Sequence, residues 1–128
     1  MFLADESALP ATFVMTEALP AGSLATIVLE IPEESDEQEL SSAAAIRISW
    51  LHRLGAPAGH PAALADEATE VELPPGRGHA SVFGEAKVVS RRRDILAERG
   101  LAQDQMSPKA YWGRGRANAS HGEPARDA

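Results

Sequence analysis

The chain has 128 residues, 44% hydrophobic and 24% charged, with a formal net charge of −7 and no cysteine. That length and balance suit one globular domain with one core, and the missing thiols exclude disulfides, thiolate metal sites and cysteine catalysis. Apolar runs fall well short of the ~20 residues of a membrane helix. Met1 leads straight into Phe2, Leu3, Ala4 and the acids Asp5 and Glu6, without a basic leader region, so the expectation is a cytoplasmic protein with no membrane partner.

Met1 to Ala4 reads as a short buried strand, so the chain resembles a trimmed domain. Ser7 is placed to N-cap a helix from about Ala8 to Leu19, its hydroxyl accepting an orphan backbone N–H, with Pro10 tolerated in the first turn. Leu9, Phe13, Val14 and Leu19 supply an apolar stripe at near-helical spacing, and Pro20-Ala21-Gly22 ends it. Thr26 to Ile31 (TIVLEI) predicts a β-branched strand closed by Pro32. The acidic stretch from Glu33 to Ser42 reads as a loop. Ala45 to Leu51 (AIRISWL) alternates and predicts a third strand. His52 to His60 is loop-like, Pro61 to Glu67 suits a short helix with proline at its start, and Glu70 to Leu73 is ambiguous.

Ala80 to Phe83 (ASVF) predicts a buried strand ending in Gly84-Glu85. Ala86 to Arg99 predicts the clearest helix, with Val88, Ile95 and Leu96 toward a core and Gly100 where a C′ glycine belongs. A last strand follows around Lys109 to Trp112. Residues 117–128 read as a flexible tail. Strands alternating with helices imply an α/β fold: a parallel sheet covered on both faces, three layers in all. Ligands of such sheets bind at the carboxyl ends of the strands.

Charge is unevenly spread. Residues 1–74 hold two basic side chains against thirteen acids and residues 75–128 ten against six; these balances of −11 and +4 account for the net −7. A basic half on an acidic chain points to a local anion site, or to solvated faces of opposite sign, and not to a nucleic-acid partner. His52, His60, His79 and His121 lack HxH or HxxxH spacing, so no metal site is expected.

Several constellations sit where ligands would bind. Asp5-Glu6-Ser7-Ala8-Leu9-Pro10-Ala11 joins the first strand to the first helix, where a pyrophosphate would meet helix N–H groups; the glycine-rich dinucleotide fingerprint is absent, and an ordinary capped helix start reads the same way. Gly84 would let a ligand approach the backbone, and Glu85 suits a ribose, a nicotinamide amide or simply a helix N-terminus. Of Arg91, Arg92 and Arg93, three consecutive helical residues spanning about 200°, Arg92 is the one in register with Val88 and Ile95. Tyr111-Trp112 and Arg114, Arg116 pair aromatics with cations near the chain end, as a stacking platform and anion partner or as a core plug and basic tail. Acids after the second strand sit awkwardly with a 2′-phosphate, for which Arg53, with His52 as helper, is the nearest cation.

Taken in order, these segments resemble the C-terminal domain of siderophore-interacting proteins, the NADPH-dependent ferric-siderophore reductases. The matching pieces are Asp5-Glu6-Ser7-Ala8-Leu9-Pro10-Ala11, the strand Val28-Leu29-Glu30-Ile31 with the acids beyond, Ser49-Trp50-Leu51-His52-Arg53, Gly84-Glu85 ahead of Arg91-Arg92, and Tyr111-Trp112-Gly113-Arg114-Gly115. Phe83 departs from the small residue usual before the glycine. The resemblance implies a ferredoxin-reductase-like NAD(P)-binding domain over residues 1–116. It implies NADPH held by Asp5, Ser7, Ala8, Arg53, Gly84, Glu85, Tyr111 and Trp112, with Arg92 and Arg114 toward a substrate or partner. No catalytic residue is assigned. The family's flavin barrel has no counterpart in this sequence, so FAD is not expected on the chain. The oxidoreductase module would then act with a flavin-domain protein on a ferric siderophore, and an uncovered apolar face would favour a homo-oligomer such as a dimer. The alternative is a non-catalytic nucleotide-binding or protein-interaction domain derived from that family.

Overall fold

Runs of aliphatic and β-branched residues fall at the intervals a parallel sheet needs, and each becomes a strand. A computed structural model describes residues 1–53, 68–69, 71–73 and 78–113. Among these, five strands form one sheet: β1 (Phe2–Asp5), β2 (Leu24–Ile31), β3 (Ala45–His52), β4 (Ala80–Glu85) and β5 (Met106–Trp112), in the order β3-β2-β1-β4-β5. Every pairing is parallel, so the short first strand is central. The sheet expected from sequence is the one observed, and β2 to β5 run one to three residues beyond the expected ends.

Among the described residues, the two longer helices cover opposite faces. α1 (Leu9–Glu17) connects β1 to β2, and α2 (Ala86–Glu98) connects β4 to β5. Alternate strand residues divide between them. Phe2, Ala4, Ile27, Leu29, Ile31 and Phe83 pack with Leu9 of α1, whereas Leu3, Val28, Ala80 and Val82 pack with Val89 and Leu96 of α2. The edge strand β3 seats Trp50 edge-on against Phe13, ring centroids 6.3 Å apart. α2 stops where its C′ glycine predicts. Gly100 adopts φ +103°, and the amides of Gly100 and Leu101 return to the carbonyls of Ala97 and Leu96, both at 3.1 Å, the Schellman arrangement.

Two local expectations are corrected. The first helix is preceded by a 3₁₀ turn, Glu6–Ala8, and the cap is Asp5, whose carboxylate accepts the Ser7 N–H at 2.9 Å; Ser7 donates there instead of capping. A carboxylate accepts more strongly than a hydroxyl, and Asp5 precedes the turn. Second, Val14 does not face the core: it is 66% exposed. Leu9, Thr12, Phe13 and Thr16 hold the sheet-facing positions at the i, i+3, i+4, i+7 spacing of one helical face, and the Thr16 hydroxyl is satisfied by donating to the Thr12 carbonyl at 2.7 Å. Glu70 to Leu73, ambiguous in sequence, forms no strand where it is described, at 71–73. The helix expected at Pro61 to Glu67 and the tail lie outside the described residues. No helix among the described residues is long and apolar enough to cross a membrane.

The corrected face of α1 is testable by paired substitutions. Leu9→Ala should cost about 2–4 kcal/mol as a core truncation, and Val14→Ala should change stability by less than about 0.5 kcal/mol as a surface change; urea denaturation reads both.

Candidate functional site

The strand order creates the site. From β1 the sheet grows outward through β2 to β3, then the chain crosses back to build β4 and β5 on the other side of β1. The connections at β1 and β4 leave toward opposite faces, so their carboxyl ends form the switch point, the place where open α/β sheets hold ligands in a crevice.

Asp5 ends β1 there and is 2% exposed. Burying a carboxylate is costly unless donors surround it. Its Oδ1 accepts the Ser7 amide at 2.9 Å and also the Ser7 hydroxyl, and its Oδ2 accepts Trp112 Nε1–H at 2.9 Å. Trp112 belongs to β5, separated from β1 by β4, so its indole must reach past the strand between them. Gly84 makes room: a Cβ there would lie 2.9 Å from Asp5 Oδ2, and its backbone holds φ +141°. Here β4 and β5 also slip register, pairing Gly84 with Ala110 but Glu85 with Trp112.

The same slip separates two aromatics expected to act together. Tyr111 packs beside Phe83 on the α1 face, ring centroids 5.5 Å apart, while Trp112 bonds Asp5. Glu85, 2% exposed, caps α2: its Oε1 accepts the amides of Lys87 at 3.0 Å and Val88 at 3.1 Å. Of its open roles, the helix N-terminus is the one observed. Ala8 is buried in the core. Arg92 is fully buried, as its register with Val88 and Ile95 implies. Its neighbours Arg91 and Arg93 are exposed, as three consecutive helical positions require. Arg114 lies outside the described residues.

A second cluster lies beside Asp5. Glu30 is its register partner on β2 and is 3% exposed. Burial pushes the Glu30 carboxyl above its ordinary value of 4.5, and the charge of Asp5 adds to this; the guanidinium groups of Arg53 and Arg92 pull the other way. Arg53, immediately after β3, brings Nη1 to within 3.4 Å of Glu30 Oε1, while its Nη2 pairs with Glu6. His52 is drawn aside to Glu37, Nε2 to Oε2 2.7 Å. Sequence reading passed over the roles of Glu30 and Glu6. The available signal was a lone acid inside the apolar run TIVLEI, because a buried charge demands a partner.

The sequence model for siderophore-interacting proteins matches residues 1–115. The chain belongs to that family. It is 34% identical over 122 residues to an uncharacterized protein of Mycobacterium tuberculosis, covering 88% of this chain and 43% of that one. It is 30% identical over 122 residues to the ferric vibriobactin reductase ViuB of Vibrio cholerae, covering 93% and 44%. Among solved structures, a siderophore utilization protein from T. fusca superposes with a TM-score of 0.86 at 37% identity, over 94% of this chain and 46% of that one. The siderophore-interacting protein SipS from Aeromonas hydrophila gives 0.75 at 28%, over 91% and 47%. The chain thus spans less than half the length of these relatives.

Two outcomes follow from this geometry. Gly84→Ala forces a Cβ against Asp5 Oδ2 in a backbone conformation that L side chains avoid, and should cost on the order of 2–3 kcal/mol by urea denaturation. Glu30 sets a pH dependence. Because its folded pKa is raised, the native state keeps a proton that the unfolded chain has released. Its contribution to stability is therefore fully present below the ordinary carboxylate range and is lost as pH rises through the folded value. The stability of the parent chain relative to Glu30→Gln should accordingly fall as pH rises from the group's ordinary value of 4.5 toward neutrality. A relative gain over that interval would show that attraction to Arg53 outweighs burial.

Proposed function

We propose that the chain is the NAD(P)H-binding module of a ferric-siderophore reductase system, serving a flavin held outside these 128 residues. When bound, the nicotinamide supplies hydride and the flavin the one-electron steps that take Fe(III) to Fe(II), which the hard oxygen donors of siderophores hold more weakly. Membership of the siderophore-interacting family, with a ferric vibriobactin reductase among the relatives, supports the system. The observation that carries the nucleotide role is the Arg53 guanidinium, standing at the carboxyl edge beside the switch point with its side chain 12% exposed.

The residues fit the two ends of a 2′-phosphorylated dinucleotide. Arg53 presents a forked donor of the kind that takes phosphate. Trp112, half-buried at the end of β5, offers an aromatic wall for the nicotinamide end. The middle of the ligand fits less simply: Asp5 already takes the Ser7 amide, so a pyrophosphate over that turn relies on its remaining N–H groups. Gly84 and Glu85 border the same crevice and shape its floor.

A second reading, a non-catalytic nucleotide-binding or protein-interaction domain, draws on a specific observation: Arg53 is engaged by two carboxylates. One titration separates the two. Arg53→Ala should weaken NADPH by about 1.5–3 kcal/mol, the range for hydrogen bonds to charged groups, and leave NADH nearly unchanged. Calorimetry with both nucleotides reads this. Equal losses would remove Arg53 as the reader of the 2′-phosphate, and no binding of either nucleotide by the parent chain would favour the interaction domain.

A further inference from the structure

We infer that Glu6 is a specificity-determining residue that gates Arg53: its carboxylate occupies the position of a 2′-phosphate and must leave before a 2′-phosphorylated dinucleotide is bound. The inference rests on the nucleotide reading given above and deepens it.

Arg53 divides its two terminal nitrogens between carboxylates of unlike character. Nη1 faces Glu30, whose side chain is 4% exposed, and Nη2 faces Glu6, whose side chain is 43% exposed. Glu30 lies within β2, backed by the sheet, and cannot swing away without disturbing the strand. Glu6 lies on the 3₁₀ turn after β1, at the rim of the crevice, and its carboxylate is rehydrated as soon as it leaves. Exposed ion pairs are weak because water and salt compete for both partners. A phosphate carries more charge and takes an arginine fork with two parallel hydrogen bonds. The exchange of Glu6 for phosphate is therefore one that phosphate can win, while the exchange of Glu30 is not.

While Glu6 stays, two carboxylates face one guanidinium, and the local field opposes a phosphate. A dinucleotide with a free 2′-hydroxyl meets no such conflict, since a carboxylate accepts a ribose hydroxyl. The Glu6–Arg53 pair thus tilts the site toward the unphosphorylated nucleotide, and loss of the Glu6 charge tilts it back.

Calorimetric titration of the full chain with NADPH and NADH tests this, comparing the parent with Glu6→Gln, with Glu98→Gln, and with Glu6→Gln in an Arg53→Gln background. Glu98 is exposed and ends α2 at the opposite edge of the sheet, so its variant makes the same change in net charge far from Arg53. Glu6→Gln should tighten NADPH roughly tenfold, about 1.4 kcal/mol, with NADH changed less than about twofold; Glu98→Gln should move neither, and the gain should vanish without Arg53. Circular dichroism checks that each variant is folded. If the parent binds both nucleotides and Glu6→Gln leaves their ratio unchanged, or matches Glu98→Gln, the gate is wrong and the nucleotide reading stands. If neither nucleotide binds the parent or any variant, both fall together.

Discussion

Two carboxylates side by side inside the protein govern the architecture of the carboxyl edge. Asp5 and Glu30 are register partners on β1 and β2, and both are buried. Like charges so placed repel strongly where water is scarce, so each must be answered locally. They are answered differently. Asp5 is held by neutral donors, the amide and hydroxyl of Ser7 and the indole of Trp112. Glu30 is answered by charge, from Arg53 and from the buried Arg92. Much else follows from the first arrangement: the indole must cross β4, so β4 carries glycine at that level, and the register slip between β4 and β5 brings Trp112 opposite Glu85.

This division gives the sheet two unlike faces. Against α1 the two central strands β1 and β2 stay apolar to Ala4 and Ile31, which share one cluster with Phe83. Against α2 they are apolar only as far as Leu3, Val28 and Val82; the next residue on that face is Asp5, Glu30 or Gly84. One alternation step changes oily packing into a charged floor. Polarity at this edge is therefore built from the strands themselves, which are rigid, while the exposed loop acids beyond Ile31 play a lesser part. Rigid, pre-paired charge suits a binding crevice, because groups already desolvated and oriented need little reorganisation when a ligand arrives.

What was legible in the sequence was whatever depends on local pattern. β-branched runs, the proline and glycine stops and the alternation of strand with helix led to a parallel sheet, and α2 was bounded to within a residue by its C′ glycine. Arg92 was picked out of its triplet by register with Val88 and Ile95. What failed depends on partners far along the chain. Val14 counts as apolar in any periodicity, yet the face of α1 is set by the sheet it meets, and two threonines share that face, Thr16 satisfying its hydroxyl within the helix. Ser7 reads as a cap in isolation; with Asp5 two residues before it, the stronger acceptor takes the role. The pairing of Asp5 with Trp112 spans 107 positions and leaves no local signature beyond the glycine between them.

The same reasoning bears on how the site relates to its family. Relatives and solved structures match this chain across less than half of their own length. The carboxyl edge of this module is shaped by a few residues. Trp112 is fixed by its bond to Asp5, Glu85 by its grip on α2, and Arg53 by Glu30. Glu6 alone among these stands substantially exposed on a turn. Where a crevice is otherwise pre-organised, the least constrained charge is the one on which a ligand's identity acts, since displacing it costs least. On the proposed nucleotide reading, selectivity resides at the rim with Glu6, and the buried Glu30 beneath is the carboxylate that holds the arginine.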